Sequence, residues 1–144
     1  MNPHIIHILL VEDSPTDIEL TIEALQDAKV NNHLSIVEDG VAALAFLRQE
    51  GQYVKESLPD LILLDLNLPK KNGLEVLAEM KVDPKLSPIP VVILTTSEAD
   101  EDIVASYRLH ANCYISKPVD FEQFVKVVQS IDDFWLSIVR LPKK

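Results

Sequence analysis

Apolar and polar positions along the chain alternate between two patterns. Short and nearly unbroken apolar runs occur at IIHILLV (5–11), HLSIV (33–37), LILL (61–64), VVIL (91–94) and CYIS (113–116), and they have the length and β-branched content of strands. Between them the apolar residues recur every three to four positions, the period of a helix with one buried face. Ile18, Ile22 and Leu25 form such a stripe after the first run, Val41, Leu44 and Leu47 after the second, and Leu74, Leu77 and Met80 after the third. Several helix ends are marked too. Ser14 suits an N-cap, with Pro15 at the first helical position and Asp17 at the third. Gly73 opens the third helix, and Pro84 and Pro88 end it by removing backbone donors. A fourth helix is predicted from about Glu98 to Leu109. A last one is predicted from Asp120, with Gln123 placed for a capping box and apolar residues continuing to about Val139.

This alternation amounts to about five β-α units, which predicts an α/β fold: a doubly wound, five-stranded parallel sheet with helices on both faces. The near-continuous apolar runs agree, because a strand covered on both faces has no polar side. One domain over 1–144 is expected, with a helical extension at about 120–140 and no linker, repeat or low-complexity segment.

Composition narrows the function. With 47% hydrophobic and 25% charged residues, the chain should fold unaided. Its 23 acidic against 13 basic residues, a net charge of -10, argue against a nucleic-acid partner, which needs clustered Lys and Arg. Cys113 is the single cysteine, so no intrachain disulfide can form and the cytoplasm is the default location. Ile5 to Val11 is interrupted by His7 and far too short for a membrane span, and no signal peptide is expected. Only 3 glycines are present, without a GxGxxG or Walker loop, which weighs against a nucleotide site. His4, His7, His33 and His110 share no metal-ligand spacing and read as surface or core residues.

In an open parallel sheet the functional crevice lies beyond the carboxyl ends of the strands, so the polar residues there carry the chemistry. The first strand ends in Glu12 and Asp13, the third in Asp65, the fourth in Thr95 and Thr96, the fifth in Ser116 and Lys117. Singly, an acidic pair after a strand is a solvated loop and a Thr a turn residue. Together, three carboxylates in one crevice repel one another unless a cation or a shifted protonation offsets the cost. An all-oxygen set suits Mg²⁺. An Asp flanked by a metal, the Lys117 ammonium and a hydroxyl is equipped to attack phosphorus and become an acyl phosphate.

The segments LLVEDS, LILLDLNLPKKNG, VVILTT and CYISKP, in this order and spacing, resemble the receiver domains of two-component response regulators, over nearly the whole chain. The resemblance implies a flavodoxin-like strand order of 2-1-3-4-5 and a signalling domain that assists its own phosphorylation and dephosphorylation, not an enzyme. It implies that Asp65 accepts a phosphoryl group from a sensor histidine kinase, and that Glu12, Asp13, Asp65 and the backbone carbonyl of Asn67 hold Mg²⁺. Thr95 and Lys117 would bind the phosphoryl oxygens, Tyr114 would swing inward on activation, and Lys117–Pro118 would be a cis peptide. The change would repack the surface of the fourth and fifth units, where Ile103, Val104, Tyr107 and the last helix should lie.

Glu in place of Asp at the head of the acidic pair is a common variant in the family. The connection RQEGQYVKESLPD (48–60) and the terminal DDFWLSIVRLPKK (132–144) resemble the single-domain regulators paired with phytochrome kinases. With the sequence ending at Lys144, output is expected through the domain's own surface. The last helix carries more apolar residues than one core-facing stripe needs. Phe134 and Trp135, with Tyr107, are therefore candidates for a homodimer or partner patch, the alternative being that they fold back onto the core. The rival readings are a small phosphohydrolase with an aspartyl-phosphate intermediate and a phosphorylation-independent adaptor. The first is disfavoured by Asp65-Leu66-Asn67, because an amide cannot act as the acid/base that such enzymes place two residues after the nucleophile.

Overall fold

Why the apolar runs are unbroken is visible in the sheet they build. The computed structural model describes residues 5–27, 31–95, 113–117, 119 and 121–129. In chain order the elements are β1 (Ile6–Val11), α1 (Pro15–Asp27), β2 (Asn32–Val37), α2 (Gly40–Leu47), a 3₁₀ turn (Gly51–Tyr53), β3 (Leu61–Asp65), α3 (Gly73–Lys81), β4 (Val91–Thr95), β5 (Cys113–Ser116) and α4 (Phe121–Gln129). All the strands are parallel and stand in the order β2-β1-β3-β4-β5. The order reverses between β1 and β3, which makes the carboxyl ends of these two strands the switch point of the sheet.

Alternate residues of each strand serve two cores. Leu9, Val11, Ile62, Leu64, Val91 and Ile93 pack beneath α2 and α3, against Leu44, Phe46, Leu77 and Met80. Ile8, Leu10, Leu61, Leu63, Val92, Leu94 and Ile115 pack beneath α1 and α4, against Ala24, Leu25 and Phe124. In β3 and β4, covered on both faces, the residues before the terminal Asp65 and Thr95 are apolar on both parities, whereas the edge strand β2 keeps the polar His33 and Ser35.

The strands match the apolar runs, and the first two helix stripes match at Ile18, Leu25, Leu44 and Leu47 but not at Ile22 and Val41. In α1 the buried residues are Thr21, Ala24 and Leu25; Ile18 is half-buried against the core, and Ile22 lies at the rim of a surface cavity between α1 and β2. Small side chains let the helix lie close to the sheet, and Thr21 can be buried because its hydroxyl donates to the Asp17 carbonyl at 2.8 Å. In α2, Val41 is 51% exposed, while Ala43 and Phe46 join Leu44 and Leu47 inside. Asp39 is the N-cap, accepting from the Ala42 backbone N–H at 2.7 Å.

In α3, Val76, Leu77 and Met80 are buried and Leu74 is half-buried. The helix ends at Lys81 with Val82 as its C-cap, ahead of Pro84 as expected. The predicted helix at 98–109 with Ile103, Val104 and Tyr107, the cap at Asp120, the Lys117–Pro118 peptide, and the segment with Phe134 and Trp135 lie outside the described residues. Among the described residues, no helix is long and apolar enough to cross a membrane.

Candidate functional site

Strand parity brings the charges together. Glu12 continues the face of Ile8 and Leu10, Asp65 that of Leu61 and Leu63, and Lys117 that of Ile115, so all three extend the α1–α4 face beyond the sheet. Glu12 remains tied to the sheet, its backbone N–H donating to the Val37 carbonyl at 3.0 Å, and its carboxylate is fully buried. Glu12 Oε2 accepts from the Ser14 N–H at 3.1 Å, and Ser14 Oγ accepts in turn from the Asp17 N–H at 3.3 Å, which starts α1 directly above the site. Asp65 is the last residue of β3, stands opposite Leu94 and is 2% exposed. Its Oδ1 accepts from the Asn67 N–H at 3.2 Å.

The loop after Asp65 is held tightly. Gly73 donates to the Leu66 carbonyl at 3.0 Å, and a Cβ at Gly73 would stand 2.4 Å from the Asp65 carbonyl oxygen, so only glycine lets α3 begin this close to the strand end. Asn72 caps α3 in a reciprocal capping box with Glu75, both bonds at 2.9 Å. On the other side, a Cβ at Gly40 would meet the Lys71 carbonyl oxygen at 1.9 Å. Lys70 takes a left-handed backbone (φ 68°) and reaches Asp39 at 3.7 Å, while Lys71 pairs with Glu79. A cavity of about 460 Å³ opens beside this loop, bordered by Asp13, Asn67 and Asn72.

Glu12, Asp13 and Asp65 each place one carboxylate oxygen within 4.8 Å of the others. Facing them is Lys117, its side chain 8% exposed, with Nζ 2.8 Å from Glu12 Oε1, 3.0 Å from Asp17 Oδ2 and 3.3 Å from Asp65 Oδ2. Burial works to lower the Lys117 pKa, but the contacts with Glu12 and Asp17 and the field of Asp65 carry it above its ordinary value, so the ammonium stays charged. Burial pushes the Glu12 carboxyl up, with the Asp65 charge adding to it, against the pull of Lys117. Glu12 Oε1 has the Lys117 ammonium, 2.8 Å away, as its partner. One ammonium does not balance the carboxylates gathered here, and the surplus negative charge on an all-oxygen donor set fits a hard divalent cation.

Of the residues expected here, Glu12, Asp13, Asp65 and Lys117 converge as predicted, and Asn67 borders the same space. Thr95 ends β4 in register with Ser116, which puts its backbone at the site's edge; its side chain is not among those described. Tyr114 stands in β5 opposite Ile93, on the other face of the sheet, and is 38% exposed. Asp17 is the residue that sequence reasoning misses: it reads only as a helix N3 acid, yet it bonds Lys117 a hundred positions away. The usable signal was that the helix carrying it must start over the crevice that receives the strand ends.

Residues 8–129 match the family model of the response regulator receiver domain. The chain belongs to that family. This receiver is 53% identical to the response regulator Rcp1 of Synechocystis sp., over 94% of this chain and 92% of that protein. Among solved structures it is similar to a phosphorylated cyanobacterial phytochrome response regulator, RcpA, at 55% identity and a TM-score of 0.78, covering 92% of this chain and 94% of that one. The Mn²⁺-bound form of Rcp1 is 52% identical with a TM-score of 0.78, covering 95% and 99%. The bacteriophytochrome response regulator RtBRR is 45% identical with a TM-score of 0.84, covering 96% and 85%. The flavodoxin-like receiver fold and the response regulator role follow. The receiver is a signalling domain of the two-component type, whose partner is a histidine kinase and whose acidic cluster is suited to a divalent metal.

Proposed function

We propose that this receiver takes a phosphoryl group onto Asp65 from a phytochrome-type sensor histidine kinase in a Mg²⁺-dependent step. The observation that carries the assignment is the setting of Asp65: a buried carboxylate at the switch point, with Lys117 Nζ 3.3 Å from one oxygen and the Asn67 N–H 3.2 Å from the other. The apolar strand fixes the carboxylate at its end, and the two donors each hold one of its oxygens. One Asp65 oxygen bonds to phosphorus as the bond from phosphorus to the kinase histidine breaks, and the electron pair leaves with the imidazole. Lys117 meets the negative charge on the transferred oxygens.

Glu12, Asp13, Asp65 and the Asn67 carbonyl would hold Mg²⁺, which when bound supplies further neutralisation of that charge. The same residues would assist the return step, attack of water on the acyl phosphate. The phytochrome pairing is supported by the names of the similar regulators at 45–55% identity.

The switch extends from this site. Phosphorylation adds roughly 1.5 to 2 negative charges. Thr95 would donate its hydroxyl to a phosphoryl oxygen, and Tyr114, now exposed, would turn inward and repack the surface of the fourth and fifth units. That surface, with Tyr107, Phe134 and Trp135, is our candidate for a homodimer or partner contact. Residues 1–144 are read as one receiver unit working in the cytoplasm.

The test is phosphotransfer from an autophosphorylated phytochrome kinase and from acetyl phosphate, scored as hydroxylamine-labile label. Wild type should take label from both with Mg²⁺ present, and Asp65→Asn from neither. Undiminished labelling of Asp65→Asn would overturn the acceptor assignment. Labelling by acetyl phosphate alone would overturn the phytochrome pairing.

A further inference from the structure

Lys117 is held by more carboxylates than the phosphoryl-transfer site needs. Among the described residues three reach its ammonium, and two of them, Glu12 and Asp65, also belong to the cluster that fits a divalent cation. Asp17 does not belong to that cluster. A cation seated between Glu12, Asp13 and Asp65 takes a share of two of the lysine's three partners, and it repels the ammonium at close range. Asp17 is then the anion that keeps the ammonium beside the acceptor.

The geometry points to Asp17 as a positioning residue that retains Lys117 next to Asp65 when the acidic cluster holds a divalent cation. Its place is secured independently of the lysine. The Asp17 backbone N–H donates to Ser14 Oγ at 3.3 Å, and its carbonyl accepts from Thr21 Oγ1 at 2.8 Å, so the first turn of α1 presents the carboxylate from a fixed origin. The carboxylate is only 26% exposed and lies 3.0 Å from Nζ, so it does more than favour the helix dipole at N3. Without Asp17, the ammonium falls back on Glu12 and Asp65 and competes with the cation for them.

This inference rests on the assignment of Asp65 and Lys117 to phosphoryl transfer, and a double-mutant cycle on metal affinity separates the two. Mn²⁺ binding, read by the loss of its free electron-resonance signal, is measured for wild type, Asp17→Asn, Lys117→Met and the double variant, with Asp17→Glu as the conservative control. Asp17→Asn should weaken Mn²⁺ binding about tenfold in wild type and less than about twofold in the Lys117→Met background. Asp17→Glu should recover most of the affinity. The Lys117 side-chain ammonium resonance in Mn²⁺-free protein should move in Asp17→Asn. Equal weakening in both backgrounds would mean that Asp17 acts through the general field or the fold, and no weakening in wild type would mean that it does not hold Lys117; either overturns the proposal. Failure of wild type to accept label would overturn the phosphoacceptor reading, while the metal cycle would still decide the role of Asp17.

Discussion

Both ends of the central strands bury polar side chains, and they satisfy them by opposite means. At the amino end, His7 of β1 is 8% exposed and its ring is flanked by neutral hydroxyls, with Nε2 at 2.9 Å from Ser35 Oγ and Nδ1 at 3.3 Å from Ser57 Oγ. The His7 backbone exchanges bonds with Asp60, donating to Oδ2 at 2.9 Å and accepting from the Asp60 N–H at 2.7 Å. Serine hydroxyls rotate to suit either imidazole tautomer, so a neutral ring is fully paired. At the carboxyl end, Glu12, Asp13 and Asp65 crowd together and Lys117 is shared among anions. A neutral network adds to stability at little risk. A like-charge cluster is stabilising only while its cations remain, and its retention marks chemistry rather than architecture.

The largest effect that could break this contrast comes from removing the buried ammonium of Lys117. Lys117→Met should lose about 3 to 5 kcal/mol in Mg²⁺-free denaturant unfolding at pH 8. Saturating Mg²⁺ should return part of it by mass action. The loss should shrink as pH falls, because Glu12, raised by burial, takes up a proton more readily than an ordinary carboxylate. A loss under about 1 kcal/mol would show that the carboxylates do not depend on the lysine.

Next in size is Gly73→Ala, whose Cβ would stand 2.4 Å from the Asp65 carbonyl oxygen. It should cost about 1 to 3 kcal/mol in unfolding and slow acetyl phosphate labelling, since relief of the clash must displace the strand end or the helix. Asn72→Ala removes one half of the α3 capping box and should cost about 1 kcal/mol, with a small change in labelling. A cap loss that left stability unchanged would show that the loop is held from the Gly40 side alone.

The smallest effect expected is a pair of opposed pH slopes. Burial, followed by the neighbouring His33, holds His7 below its ordinary 6.5, against the pull of Asp60 and Glu56. The unfolded chain therefore binds the proton first as pH falls through 6.5, and stability is lost below that point. Glu12 runs the other way. Its folded carboxyl lies above the ordinary 4.5, so its ionised form weighs against folding as pH rises through the raised value, and acidification relieves that cost. Urea midpoints between pH 7.5 and 5 should show an acid loss in wild type that is reduced in His7→Gln. An unchanged slope in His7→Gln would locate the titration elsewhere.

The carboxyl end was the more legible of the two in the sequence, for a physical reason. Apolar runs that stop at Glu12, Asp65 and Lys117 announce both the strand and the crevice, because charge at the end of a strand covered on both faces has few other uses. Asn72 and Glu75, on either side of Gly73, also carry a capping-box pattern that local sequence suffices to specify. At the amino end, His7 read only as a surface or core histidine, since its partners Ser35 and Ser57 lie in other segments. Spacing alone puts Ile22 and Val41 in the core with Ile18, Leu25, Leu44 and Leu47. The structure keeps those four, leaves Ile22 at the rim and Val41 exposed, and adds Thr21, Ala43 and Phe46, because the edges of a helix's buried face depend on how closely it approaches the sheet.

By itself, then, the pattern of residues determined the parallel strands, their ends and the chemistry gathered there, because these follow from local periodicity and from the high cost of burying charge. Which residues complete each helix's buried face, how near Gly73 brings α3 to Asp65, and the attachment of Lys117 to Asp17 were decided only by tertiary structure. Each of these depends on distances between segments far apart in the chain, and close packing sets such distances for all the elements at once.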